Sequence, residues 1–345
     1  MVRYKKYVTA RKTSGAAGGN MDKKAFLSLI EYLKGKQVFV QTHNFPDPDA
    51  IGTGFGLCHI LKHYGIDPVL CYVGNIDRVN TKKMTELCHI DIFSTDELPV
   101  EMKEDDPIIC VDSQKNGGNI KNLPGNEIAC IDHHPLIIGE EYKYLDVRKV
   151  GACATLISEY HKELEITPDT DTATALLYGL KMDTLDFTRG VTEEDIEMFG
   201  FLFPYASDDA LTELSINNME FKDLKAYGSA IENIFVYEKV GFAGIPFSCG
   251  DAQIATVADF ILSLDEVDVA VIYSKRPDGY KFSVRSETIK VDAGNLISKA
   301  LSGIGNGGGH AFMAGGFLPE ENAKEFGDHA DPAIRERFIE VLKNL

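Results

Sequence analysis

Eight residues of this chain carry side chains that could do chemistry together: His43, Asp47, Asp49, Asp112, Asp132, His133, His134 and Asp183. Each lies just past an apolar segment. Ile128-Ala129-Cys130-Ile131 runs into Asp132-His133-His134 and stops at Pro135. Val38-Phe39-Val40 leads to His43, Asp47 and Asp49, Ile108-Ile109-Cys110-Val111 leads to Asp112, and a helical pattern from Thr170 reaches Asp183. Open α/β sheets present their ligand sites outside the carboxyl ends of strands. Imidazoles beside a carboxylate can hold a metal or move a proton. A helix cap or a solvated turn would explain any one of these residues. On one sheet edge the whole set would concentrate negative charge, and the acids would repel strongly unless cations sat among them.

The elements that must position these residues are legible in order. A helix is expected from the possible N-cap Asp22 through Phe26, Leu29, Ile30 and Leu33 to Gly35. Pro46 and Pro48 stiffen the acidic loop. A second helix runs from Ala50 towards Tyr64. Its Gly52, Gly54 and Gly56 superficially match a dinucleotide fingerprint, but glycines inside a helix after an acidic loop cannot cradle a pyrophosphate. Pro68 to Val73 reads as a strand, and Thr155 to His161 as a helix. Strands separated by helical segments predict a doubly wound, mainly parallel sheet. Residues 196–228 are acidic and helical, and read as a connector. Beyond them, strands at 234–240, 267–273 and 281–285 alternate with helices at 253–264 and 293–301. That pattern predicts a second, smaller α/β domain with a mixed sheet, and places the active site in the cleft between two lobes.

The second domain ends in a glycine-rich stretch, Gly307-Gly308-Gly309-His310, followed by Ala314-Gly315-Gly316. Glycines let backbone N–H groups approach phosphate oxygens without a side-chain clash. Arg285 can grip a phosphate bidentately, and His310 adds a donor. The stretch lacks the Lys-Ser/Thr ending of a P-loop, so ATP hydrolysis is not indicated.

At 345 residues, two domains are expected. A net charge of −18 argues against long duplex DNA as a ligand, since gripping it requires a basic face. It leaves room for a mononucleotide or a short oligonucleotide. No apolar run approaches the roughly twenty residues of a membrane span, and no signal-peptide core is present. Seven cysteines without a CxxC pair fit reduced thiols, and a cytoplasmic location is expected. Residues 1–20 are basic and rich in small residues, and read as a disordered tail or leader.

Together the motifs resemble one family. His43-Asn44-Phe45-Pro46-Asp47-Pro48-Asp49-Ala50-Ile51-Gly52 resembles the first motif of the DHH phosphoesterase superfamily. Val111-Asp112 is similar to the second, Asp132-His133-His134 to the one that names the family, and Asp183 in Gly179-Leu180-Lys181-Met182-Asp183-Thr184 to the fourth. Arg285-Ser286 and Gly307-Gly308-Gly309-His310-Ala311 resemble the DHH-associated substrate domain. The match runs in order from about Met21 to Leu318, with Pro48 where the family usually has glycine.

The resemblance implies a catalytic domain over 21–195 and a substrate-binding domain over 229–345. It also implies two divalent ions. His43, Asp47 and Asp112 would hold one, and Asp49, Asp112, His133 and Asp183 the other, with Asp112 bridging. Mixed imidazole and carboxylate ligands suit manganese first, with magnesium or cobalt as alternatives. Asp132 would orient the ligand histidine His133, and His134 would meet the scissile phosphate. Arg285, Ser286, Gly307, Gly308, Gly309 and His310 would bind substrate. The compact size and acidic charge resemble the nanoRNase branch, which acts on very short oligonucleotides and 3′-phosphoadenosine 5′-phosphate. Cyclic di-AMP hydrolysis is the second reading and a non-catalytic nucleotide-binding regulator the third. No membrane association is expected, and a homodimer remains open.

Overall fold

A computed structural model describes residues 21–216, 219–221 and 223–344. The expected tail at 1–20 lies outside the described residues. The chain divides into two compact units near residue 218.

In the first unit the elements run α1 Lys23–Leu33, β1 Val38–Gln41, α2 Pro48–His63, β2 Pro68–Tyr72, α3 Val79–Leu87, β3 Phe93–Ser94, β4 Pro107–Val111, β5 Asn126–Asp132, β6 Tyr144–Val147, α4 Cys153–Glu163, α5 Thr170–Asp183, α6 Glu193–Leu202 and α7 Asp208–Ser215. The six strands form one sheet in the order β3-β2-β1-β4-β5-β6, and every pair is parallel. This is the doubly wound sheet expected from the sequence. The near-continuous apolar strands Pro107–Val111 and Ile128–Ile131 are buried, as strands covered on both faces must be. The strand order reverses between β1 and β4, so the crevice outside their carboxyl ends is the favoured place for a ligand. His43 follows β1, and Asp112 follows β4 directly.

Three helices pack closely to bring their ends to that crevice, and missing side chains permit it. On α2, a Cβ at Gly52 would lie 2.6 Å from the Ala175 carbonyl oxygen of α5, and one at Gly56 would lie 2.9 Å from Ile157 of α4 and Leu176 of α5. On α5, a Cβ at Gly179 would lie 2.9 Å from the Asp49 Cα. The glycines of α2 are therefore packing residues, in keeping with the rejection of a dinucleotide fingerprint.

In the second unit the order is α8 Asp223–Asn233, β7 Phe235–Tyr237, β8 Val240–Ile245, α9 Asp251–Leu262, β9 Val269–Arg276, β10 Gly279–Ser286, α10 Ala293–Ala300, β11 Asn306–Gly309, β12 Met313–Pro319, α11 Glu320–Ala323 and α12 Ala330–Lys343. Its sheet is mixed, in the order β11-β12-β10-β9-β8-β7, with only β8 and β9 parallel. The expected single strand at 234–240 is two antiparallel strands, turned by Glu238 at a φ of 53°. The span 196–228 is not a separate connector. Leu202 of α6 with Leu211 and Leu214 of α7 enter the core of the first unit, whereas Ala226 and Ala230 of α8 enter a core of the second. Among the described residues no helix is long and apolar enough to cross a membrane. All seven cysteines are buried and unpaired.

Two outcomes test this packing. Gly52→Ala should lose about 1–2 kcal/mol net, because the clash outweighs the gain in helix propensity; a melting temperature at or above that of the parent would refute the close approach. His161, fully buried on α4, has its pKa pushed down by burial from 6.5 to about 4. Between those values the unfolded chain takes up a proton that the fold does not. Stability should therefore fall as pH drops from about 6.5 to 4, by up to about 3 kcal/mol, and His161→Gln should flatten that part of a denaturation-versus-pH profile.

Candidate metal centre

Each acid of the site is held by the end of an element. Asp47 is the N-cap of α2, and its Oδ1 accepts from the Asp49 and Ala50 amides at 3.1 Å. Pro48 is the first residue of that helix, where its fixed φ and missing N–H are favourable, so the departure from glycine is benign. The Asp49 carboxylate reaches across to α4 and accepts from the first two helical amides, Cys153 at 2.7 Å and Ala154 at 2.9 Å. Asp112 turns out of β4 at a φ of 53°, a left-handed conformation of the kind that clusters at functional sites. Its amide still donates to the Ile131 carbonyl at 3.0 Å, which keeps β4 and β5 in register to their ends. Asp183 is the last residue of α5.

The side chains converge on Asp112. Its Oδ2 lies 3.6 Å from His43 Nε2, which is 3.7 Å from Asp47 Oδ1. Its Oδ1 lies 3.3 Å from His133 Nε2, which is 3.4 Å from Asp183 Oδ2. Three groups of donor atoms gather within 4.8 Å: His43, Asp47 and Asp112; Asp49, His133 and Asp183; and Asp112, His133 and His134. Two donors each about 2.1 Å from one ion sit roughly 3.4 Å apart at a tetrahedral angle, so these spacings fit ligands of a shared divalent ion. Asp112 Oδ1 is also buried without a hydrogen-bond partner, as an atom reserved for a cation would be. The donor chemistry and the orphaned oxygen both fit the implied ions.

Backbone carbonyls orient the two innermost histidines. His43 Nδ1 donates to the Asn44 carbonyl at 2.8 Å, and His133 Nδ1 to the Val150 carbonyl at 3.1 Å, so each presents Nε2 to the carboxylates. Asp132 therefore does not orient His133. It orients His134, whose Nδ1 donates to Asp132 Oδ1 at 2.8 Å, and the same oxygen caps the amides of His133 and His134. Asp132 Oδ2 is held in turn by Gln114 Nε2 at 2.7 Å.

Electrostatics follow the geometry. Burial alone would push His43 down, but Asp47 and Asp112 outweigh it and raise its pKa to about 10. Burial opposes the rise in His133 too, and Asp112, Asp49 and Asp183 carry it well above the ordinary value. Burial and the neighbouring acids push Asp49 up; Asp183 rises to about 6 chiefly through burial, with His133 pulling the other way. Asp47 and Asp132 move down despite burial, because His43 and His134 respectively bond to them.

All eight residues read from the sequence gather here. Sequence reasoning missed Gln114, the Val150 carbonyl, the α4 amides, and two arginines that ease the negative charge. Arg189 Nη2 donates to the Asp183 carbonyl at 3.0 Å, and Arg78, the residue before α3, draws the Asp47 pKa down. Gln114 stands two residues beyond Asp112, a spacing that could have flagged it.

The substrate-side residues of the second unit are placed differently from expectation. The stretch Gly307-Gly308-Gly309 lies in the edge strand β11, paired with β12. A Cβ at Gly307 would lie 2.9 Å from Ile297 of α10, and one at Gly316 would lie 2.5 Å from the same side chain, so these two admit the helix. Gly308 has open space where its Cβ would be. Arg285 is buried, its Nε on Asp259 Oδ1 at 2.6 Å and its Nη1 on Ser283 Oγ at 3.0 Å. The Ser286 hydroxyl donates to the Val291 carbonyl at 2.7 Å and so closes its own loop. His310 is exposed in the turn after β11, its amide donating to the Met313 carbonyl at 2.7 Å.

A two-unit α/β chain with carboxylate–histidine clusters sharing one aspartate at a sheet switch point has the donor set of a divalent-metal site. Two domain models match the sequence, the DHH family N-terminal domain over residues 37–180 and the DHHA1 domain over residues 235–336. The chain belongs to the DHH phosphoesterase family. It is 27% identical to the uncharacterized protein MJ1633 of Methanocaldococcus jannaschii, covering 92% of this chain and 66% of that relative, just under two thirds of its length. It is 25% identical to the probable bifunctional oligoribonuclease and PAP phosphatase NrnA of Streptococcus mutans, over 84% of this chain and 93% of the relative. The crystal structure of an exopolyphosphatase-related protein from Bacteroides fragilis superimposes with a TM-score of 0.72 at 21% identity, covering 91% of this chain and 96% of that one, and shares the fold.

If Asp112 serves both clusters, Asp112→Asn should weaken both steps of a manganese titration by more than the 10–100-fold typical of an outer-sphere partner, whereas Asp47→Asn should weaken only one. Calorimetry that shows one step intact in Asp112→Asn would remove the shared role.

Proposed function

We propose that this protein hydrolyses short oligonucleotides, and 3′-phosphoadenosine 5′-phosphate as a second substrate, with two manganese ions. The observation that carries the reading is the Asp112 carboxylate, one oxygen turned to each cluster. His43, Asp47 and Asp112 are assigned to one ion, and Asp49, Asp112, His133 and Asp183 to the other. Ions held there would supply Lewis-acid chemistry, lowering the pKa of a bound water and stabilising charge on the phosphoryl oxygens. The protein's own part is to fix the donors: the α2 and α4 amides hold Asp47 and Asp49, and the Asn44 and Val150 carbonyls hold the imidazoles.

His134 is assigned to the scissile phosphate. Its ring is fixed through Nδ1 by Asp132, which Gln114 anchors. Asp132 and Asp112 raise its pKa against the effect of burial, which favours the protonated form that can meet an anion and protonate a leaving oxygen. The likeness to NrnA over almost its full length supports a nucleotide substrate. The net charge of −18 supports a short one. On the second unit the bare edge at Gly308, the guanidinium of Arg285 and the exposed His310 are assigned to the nucleotide. Ser286 is better read as closing a loop.

The test is a substrate panel with manganese: the dinucleotide pApA, adenosine 3′,5′-bisphosphate and cyclic di-AMP. Turnover should be fastest on pApA, and a chelator should abolish it. Faster turnover of cyclic di-AMP would transfer the reading to a cyclic-dinucleotide phosphodiesterase. No turnover of any of the three by metal-loaded protein would overturn it.

A further inference from the structure

The loop that carries His43, Asp47 and Asp49 also carries an aromatic ring that metal binding does not require. Phe45 is 60% exposed, while Thr42, Pro46, Pro48 and Asp49 around it are buried. It joins no hydrophobic cluster and no ring pair among the described residues. An exposed phenylalanine alone would be ordinary. This one is built into place.

Its backbone sits at a φ of 55°, in the left-handed region that a bulky side chain seldom occupies. Three hydrogen bonds hold the loop there: the Phe45 amide to the Val73 carbonyl at 2.9 Å, the Asn44 amide to the Asn119 carbonyl at 2.8 Å, and the Lys121 amide to Asn44 Oδ1 at 3.0 Å. Gly74, just past β2 at a φ of 94°, leaves room for the ring. A Cβ at Gly74 would lie 2.6 Å from Phe45 Cε1 and 2.7 Å from Cδ1. One side of the phenyl thus rests on bare backbone, and most of the ring stays open to solvent. Phe45 is two peptide links from His43 and two from Asp47, so its Cα is at most about 7.6 Å from either. A flat ring displayed at that range suits a flat ligand whose phosphate lies at the donors.

We propose that Phe45 is a stacking platform for a nucleobase of the substrate, placed so that the stacked base and the phosphate at the His43–Asp49 loop belong to the same nucleotide or to neighbours. This rests on the oligonucleotide reading above and deepens it. Every base has a π-face, so the platform selects for the presence of a base more than for its identity. Its contribution is ground-state grip, expressed in KM more than in kcat.

The sequence contains no tryptophan, so Phe45→Trp installs a single fluorescent reporter. In the manganese-loaded variant, adenosine 5′-monophosphate should quench that fluorescence saturably, and ribose 5-phosphate should not. In kinetics, Phe45→Ala should raise KM for pApA by roughly 10- to 100-fold relative to a dinucleotide analogue lacking one base, and Phe45→Tyr should restore the preference. Melting curves of each variant show whether it folds. Quenching by the mononucleotide without any turnover of pApA by the parent protein would sink the oligonucleotide reading and leave the platform standing. Turnover of pApA with no quenching and an unchanged preference in a folded Phe45→Ala would overturn the platform alone.

Discussion

The first unit is organised around a repulsion. Asp47, Asp49, Asp112 and Asp183 converge from the start of α2, the end of β4 and the end of α5, and Asp49 and Asp112 are almost wholly withdrawn from water. Charges brought that close cost free energy in proportion to how dry their surroundings are. The fold offsets that cost with oriented backbone. Asp47 caps α2 and Asp49 accepts from the first amides of α4, so two helix N-termini, each carrying about half a positive charge, face the cluster. His43 and His133 add cationic character within the cluster, and Arg189 and Arg78 beside it. One buried oxygen of the cluster, Asp112 Oδ1, is left without a hydrogen-bond partner. That is where a divalent ion has the most to gain.

The sequence exposes the acids of this arrangement because each follows an apolar run, and a parallel sheet has only one edge on which such residues can meet. Its alternation of strands and helices likewise discloses the doubly wound sheet. It does not disclose what orients the imidazoles, because a carbonyl such as that of Val150 has no signature of its own. The misassigned partner of Asp132 is an instance. Adjacent histidines look interchangeable in a string, and only the turn after β5 sends His134 back onto Asp132 and His133 onwards to Val150. The span 196–228 misled for a related reason. Its apolar residues are spread over several faces, and the few that decide its packing, Leu202, Leu211 and Leu214, do not stand out among them.

Glycine shows how one residue type conceals several roles. In α2 and α5, Gly52, Gly56 and Gly179 are absences that let helices touch. In β11 and β12, Gly307 and Gly316 do the same for α10, while Gly308 leaves a stretch of edge backbone uncovered. A run of glycines reads from sequence as backbone open to a phosphate. The pairing of β11 with β12 fixes it as a strand: Gly307 admits α10, Gly309 lies close against the Ala314 backbone, and Gly308 alone of the three stays open. An edge strand has backbone groups outside the ladder, so a ligand can still be met there by main chain held at a set position.

The loop between β1 and α2 combines these devices. Within seven residues it carries two donors for one cluster, one donor for the other, a helix cap, a proline at the first helical position and a ring held over a glycine. A flexible loop could not serve this way, because each donor would have to be ordered separately when a ligand arrived. Its rigidity comes from outside, through amide and carbonyl contacts to β2 and to residues 119–121. The strain at Phe45 and at Asp112 is what such rigidity leaves behind. Both residues sit at positive φ beyond the carboxyl ends of neighbouring parallel strands, Phe45 held by the Val73 carbonyl and Asp112 by that of Ile131, so neither backbone can relax without losing a hydrogen bond.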